Sequence, residues 1–146
     1  MIEVNTKKIE TAILVGVSNR FISPEEVMFS LDELERLVST AGGETIQKIV
    51  QNRERIDSAF FIGKGKAEYI AELCNEKNID IVVFDDDLSP VQVRNLENLT
   101  NRKVLDRSGV ILDIFASHAR TIEAKTQVEL AQLEYLLPRL TRRWTH

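Results

Sequence analysis

Between Val110 and Leu137 the chain holds neither proline nor glycine. Within and just beyond this span apolar residues return at Leu112, Phe115, Ala119 and Ile122 and then, past Thr126, at Leu130, Leu133, Leu137 and Leu140. Steps of three or four residues line one face of a helix, and most of the polar residues fall off that face. An unbroken helix of about 28 residues is about 42 Å long. A compact chain of 146 residues has a radius of gyration of only roughly 15 Å. The spacing therefore predicts a helical arm that projects from the rest of the molecule. Its leucine seam needs a partner helix, supplied either by a second copy of the chain or by a segment further along a longer protein. Pro138 kinks or ends the helix. Beyond it lies a basic tip, Arg139, Arg142, Arg143 and Trp144, suited to phosphates and to stacking on a base.

Upstream, short apolar runs alternate with amphipathic stretches. Thr11 to Val17 is apolar without alternation, as a strand buried on both faces reads. Ser23-Pro24-Glu25-Glu26 opens a helix: the Ser23 hydroxyl accepts from the Glu26 amide, the Glu26 side chain reaches back, and proline occupies the first turn. Val27, Leu31, Leu34 and Val38 form its inward stripe, and Gly42-Gly43 ends it. A strand follows from about Thr45 to Gln51, then an exposed charged turn, the apolar stub Ser58 to Ile62, and a helix with Ala67, Ile70, Ala71 and Cys74 inward. Asp80 to Asp85 is the clearest strand. Ser89-Pro90-Val91-Gln92 repeats the capping arrangement, and Lys103 to Asp106 is the last strand. Connections too long for hairpins predict an α/β fold: an open, mostly parallel sheet of about four strands flanked by helices, followed by one long projecting C-terminal helix. Residues 1–106 form the α/β subdomain and residues 107–146 the arm.

Charge separates the same two parts. The chain as a whole carries −4. Residues 1–106 hold 13 Lys and Arg against 19 Asp and Glu, a net of −6, and residues 107–146 hold 6 against 4, a net of +2. An acidic body with a mildly basic arm would meet a polyanion through the arm, although two positive charges also describe an ordinary solvated helix. No apolar run approaches the roughly 18 residues of a membrane span, and the first ten residues lack a signal-peptide core. A cytoplasmic protein with no membrane partner is expected. The single cysteine, Cys74, excludes a disulfide framework and reads as a buried thiol.

Three polar clusters fall where ligands of parallel sheets sit, beyond the strand carboxyl ends. Asp85, Asp86 and Asp87 read either as a magnesium site or as a solvated loop. Gly63, Lys64, Gly65 and Lys66 precede a helix and would suit a phosphate, or simply form a turn and cap; they lack the spacing of a phosphate-binding loop. Asp106-Arg107-Ser108 reads as a helix cap with charge pairing at the joint. No histidine is placed to activate a serine or cysteine, so a hydrolytic triad has no support.

The segments FFIGKGKAEYIAEL (60–73), VVFDDDLSPVQVRNLE (82–97), KVLDRSGVILDIFASHARTIEAKTQVELAQLEYLLPRL (103–140) and RRWTH (142–146) closely resemble the N-terminal domain of the HflX family of ribosome-associated GTPases. The resemblance runs from about residue 10 to the last residue. It implies that this domain is followed by a glycine-rich loop, a second long helix antiparallel to the first, and a G domain holding every GTP-binding motif. The chain itself is then expected to be non-catalytic and to hold no cofactor, with GTP and magnesium belonging to the G domain. The parent is expected to bind the large ribosomal subunit and its rRNA through the arm and to separate subunits under stress. Two alternatives stay open. One is a nucleotide-binding or nucleotide-hydrolysing domain using Gly63 to Lys66 and Asp85 to Asp87. The other is a dimerisation module held by the long helix.

Overall fold

The computed structural model describes residues 4–5 and 8–140. In chain order the elements are β1 (Val4–Asn5), β2 (Lys8–Ser18), α1 (Pro24–Thr40), β3 (Gly43–Asn52), α2 (Lys64–Glu76), β4 (Ile81–Phe84), α3 (Pro90–Thr100), β5 (Lys103–Asp106), α4 (Arg107–His118) and α5 (Ile122–Leu136), with a 3₁₀ turn at Leu137–Arg139. Strand β2 is the centre of the sheet. It pairs in parallel with β3 on one side and β4 on the other, and β5 continues beyond β4. The four parallel strands lie in the order β3-β2-β4-β5, and the short β1 folds antiparallel onto the start of β2. The architecture is the expected α/β sheet flanked by helices.

The unbroken apolar run of β2 has the cause expected of it. Ile13, Val15 and Val17 enter one hydrophobic cluster with Ile70, Leu73 and Cys74 of α2 and Val93 and Leu96 of α3. Ala12 and Leu14 enter a second cluster with the α1 stripe Val27, Leu31, Leu34 and Val38, together with Val110 and Tyr135. Successive residues of a strand point to opposite faces, so a strand covered on both faces must be apolar throughout. The capping box at Ser89 has both halves: Ser89 Oγ accepts from the Gln92 amide at 3.1 Å and Gln92 Oε1 from the Ser89 amide at 2.9 Å. At Ser23 the hydroxyl accepts from the Glu26 amide at 3.1 Å. Burial pushes the Cys74 thiol up to about 11, against the opposing charge of Arg102.

The C-terminal helix differs from the expectation in where it begins and where it goes. The run from Val110 to Leu137 is two helices, parted at Ala119–Thr121, where Ala119 is extended with ψ 124° and Thr121 caps α5 by accepting from the Ala124 amide at 3.0 Å. At the end of α4, the Ser117 hydroxyl donates to the Ile114 carbonyl at 2.8 Å and a ring nitrogen of His118 lies 2.8 Å from the same oxygen. These side chains occupy a carbonyl that an uninterrupted helix would bond to its own backbone. Along a straight helix Asp106 and Tyr135 would lie about 43 Å apart; here the Tyr135 hydroxyl donates to Asp106 at 2.7 Å. Helix α5 thus folds back onto the α/β body, and the projecting single rod is replaced by a helical hairpin. The seam stays open to solvent even so, with Ile122 81% and Leu130 57% exposed. No helix among the described residues is long and apolar enough to cross a membrane.

Candidate functional site

At the carboxyl ends of the strands the three consecutive aspartates are drawn to different partners. Asp85 accepts from the Ser30 hydroxyl of α1 at 2.6 Å and from Arg107 Nε at 2.9 Å, and Arg107 Nη2 closes a second bond to the same carboxylate. Arg107 Nη2 also donates to the Ser30 carbonyl at 3.2 Å. Asp87 accepts from the Ser108 hydroxyl at 2.8 Å. Asp86 lies between them; desolvation first, and then the charges of Asp85 and Asp87, raise its carboxyl above the usual carboxylate range, with Arg107 acting in the opposite sense. Among the described residues no group of three or more His, Cys, Asp or Glu is arranged to hold a metal ion. The aspartates instead join β4 to α1 and to the start of α4.

Asp106 is the joint below them. It is 1% exposed, and its carboxylate accepts from the Gly109 amide at 3.0 Å, the Leu88 amide at 3.1 Å and the Tyr135 hydroxyl. One side chain therefore caps α4, holds the β4–α3 loop and anchors α5. A side chain at position 109 would put its Cβ 2.7 Å from the Tyr135 hydroxyl oxygen, so the glycine leaves room for that anchor. Burial, and then the neighbouring Asp106 charge, raise the Tyr135 hydroxyl well above the ordinary tyrosine range. The expected cap and charge pairing at residues 106–108 are both present, but the sequence pattern gave no sign of Tyr135. Its partner lies 29 residues upstream, and no local pattern marks the pair.

The Gly63 to Lys66 turn sits beside the end of β3, whereas the aspartates follow β4 on the far side of β2. Gly63 caps α2 without a side-chain bond, and its own amide donates to Gln51 Oε1 at 2.9 Å. Arg53 Nη1 would lie 2.5 Å from a Cβ placed on Gly63, which puts that guanidinium against the turn. The turn is shaped from behind: Asp57 accepts from the Ala59 and Phe60 amides at 2.9 and 2.7 Å, Phe61 takes a positive φ of 67°, and Gln92 Nε2 donates to the Asp57 carbonyl at 2.9 Å. Lys64 is exposed, and Lys66 Nζ lies 5.3 Å over the Tyr69 ring.

Of the predicted basic tip, Arg139 is the described residue. Its guanidinium lies 4.1 Å over the Tyr135 ring, and its Nη1 donates to the Tyr135 carbonyl at 2.6 Å. Arg94 of α3 donates to the Pro138 carbonyl. Arg139 therefore lies back along its own helix beside Tyr135, and Arg94 ties the adjoining turn to the body, so Arg139 does not stand at a distant end. Arg142, Arg143 and Trp144 lie outside the described residues.

Two family models match the chain: GTP-binding GTPase N-terminal over residues 29–116 and GTP-binding GTPase Middle Region over residues 118–146. Their boundary falls at the end of α4, where the helical run breaks. The GTPase HflX of Flavobacterium psychrophilum is 47% identical over 146 residues, covering 100% of this chain and 35% of that protein. The GTPase HflX of Escherichia coli is 48% identical over 137 residues, covering 94% of this chain and 32% of the relative. The chain thus spans about a third of the length of these relatives. Among solved structures, a GTP-binding protein from Sulfolobus solfataricus in complex with GDP superposes with a TM-score of 0.66 at 29% identity, over 90% of this chain and 38% of that one.

Proposed function

Because this chain belongs to the HflX family of GTPases, as part of their N-terminal and middle regions, we propose that it is the non-catalytic, ribosome-binding portion of such a GTPase, working in the cytoplasm. It would contact the rRNA of the large subunit through the α4–α5 hairpin and the basic residues that follow. GTP hydrolysis, with its magnesium, would reside in a G domain elsewhere in the protein. The observation that carries this reading is the family match across both regions. The hairpin supports it, since it offers an exposed apolar seam leading to Arg139 and the arginines beyond. Co-sedimentation with large subunits of a full-length HflX bearing this region, native against Arg139→Glu, Arg142→Glu and Arg143→Glu combined, is expected to show binding at least about tenfold weaker in the variant. Unchanged pelleting would remove these arginines from the function.

A second reading, nucleotide binding at the Gly63 turn, is favoured by the exposed Lys64 and by the Arg53 guanidinium beside Gly63. A magnesium ion at Asp85 and Asp87 would have to displace Arg107 and Ser108 from them. Calorimetry of the chain with magnesium-ATP separates this reading from the first, because no heat at millimolar nucleotide would end it.

A further inference from the structure

The loops after β2 and β3 and the start of α2 meet in one basic edge. The Arg53 amide donates to the Ser18 carbonyl at 2.8 Å, and Glu54 accepts from the Arg20 amide at 3.2 Å, so the two loops touch. The Arg53 side chain continues the edge, with its Nε donating to the Arg55 carbonyl at 3.0 Å and its Nη1 against Gly63 at the start of α2. The loops after β2 and β3 and the first residues of α2, positions 19–23 and 53–66, hold five cations (Arg20, Arg53, Arg55, Lys64 and Lys66) and two carboxylates, Glu54 and Asp57, a net of +3 in a chain whose total is −4. The remainder of the molecule therefore carries −7.

Neither carboxylate cancels the row: Glu54 faces Arg20 at 3.7 Å with both side chains at least half exposed, so that pair is screened, and Asp57 is turned onto the Ala59 and Phe60 amides. Two exposed aromatic rings flank the cations. Phe21 is 82% exposed beneath the Arg20 guanidinium, and Tyr69 is 44% exposed beneath the Lys66 ammonium.

We propose that this edge of the α/β body, distinct from the helical hairpin, is a docking surface for unpaired RNA, with Arg55, Lys64 and Lys66 meeting successive backbone phosphates and Phe21 stacking on a base. The inference rests on the RNA partner of the reading above. Its chemistry is that of single-strand recognition, in which a row of cations follows the backbone and an aromatic face takes any base. Cations spread over three elements suit a chain of phosphates better than the single phosphate cluster of a mononucleotide. The acidic remainder of the body repels RNA and confines binding to this edge.

Fluorescence anisotropy of the 146-residue chain with a labelled uridine-rich RNA of about 12 nucleotides, over a series of salt concentrations, tests it. Arg55→Glu, Lys64→Glu and Lys66→Glu combined should weaken binding at least about tenfold and make the salt slope shallower by about 2, at about 0.7 for each phosphate that no longer meets a cation. Phe21→Ala should weaken binding about fivefold or more with the slope unchanged. Phe21, Arg55 and Lys64 are exposed and Lys66 is half-buried over Tyr69, and an unaltered thermal melt establishes that each variant folds. Arg139→Glu should leave binding to this probe in place, which separates failure of this surface from failure of the hairpin. An unchanged affinity and slope in the triple variant would overturn the proposal. So would displacement of the RNA by equimolar ATP, which would mark a nucleotide site, or preferential binding to phosphatidylserine vesicles.

Discussion

The α/β body and the C-terminal hairpin are both apolar along their lengths, yet they are held in very different ways. Strand β2 is covered on both faces, and the whole inward stripe of α1 is buried. Helix α5 places one residue, Tyr135, in the core, with Leu136 partly buried beside it, while Leu130, Leu133 and Leu137 face solvent. Many shared apolar contacts make a cooperative unit. A helix attached at one buried residue, with Arg94 of α3 holding the Pro138 carbonyl just beyond it, opens with a lower free energy of its own. Local helical pattern therefore says little about how firmly a helix is held, and the buried fraction of its surface says much more.

The largest test of this contrast is in the body. Leu14→Ala removes a fully buried side chain from the middle of β2 and should cost about 2–5 kcal/mol of global stability in urea unfolding, with every element melting together. Next comes the anchor. Tyr135→Phe removes a hydrogen bond to a carboxylate and should cost about 1.5–3 kcal/mol, read as faster amide exchange in α5 while β2 and β4 keep their protection. If the body lost as much as α5, the two regions would be one unit and the contrast would be false. The anchor should also respond to pH. The Tyr135 hydroxyl is raised above its unfolded value, so its contribution is fully present below about pH 10, the ordinary tyrosine pKa, and is lost as pH rises through the folded value. Protection of α5 should fall in alkali before that of the sheet. The smallest effect belongs to the seam: Leu130→Glu with Leu133→Glu should change stability by less than about 0.5 kcal/mol. Any concentration-dependent sedimentation of the native chain should disappear in that variant. A large loss of stability instead would mean that the seam supports the fold of the single chain.

The sequence by itself determined the elements whose signals are local. The Ser-Pro caps at Ser23 and Ser89, the buried stripe of α1 and the unalternated strands β2 and β4 need only neighbouring residues to declare themselves, and the structure carries each where the spacing put it. The acidic and glycine-lysine clusters were equally visible as residues. Their partners were not, because Arg107, Ser30 and Ser108 reach the aspartates from other elements. The course of the C-terminal helix was decided only in three dimensions. Thr121 is a cap without a Glu or Gln three residues on, and an uninterrupted 3.6-residue period argues against a break there. What folds α5 back is the burial of Tyr135 against Asp106, an interaction between positions far apart in the chain. Helical periodicity records which face of a helix is apolar, and carries no information about whether a distant carboxylate is waiting for a hydroxyl.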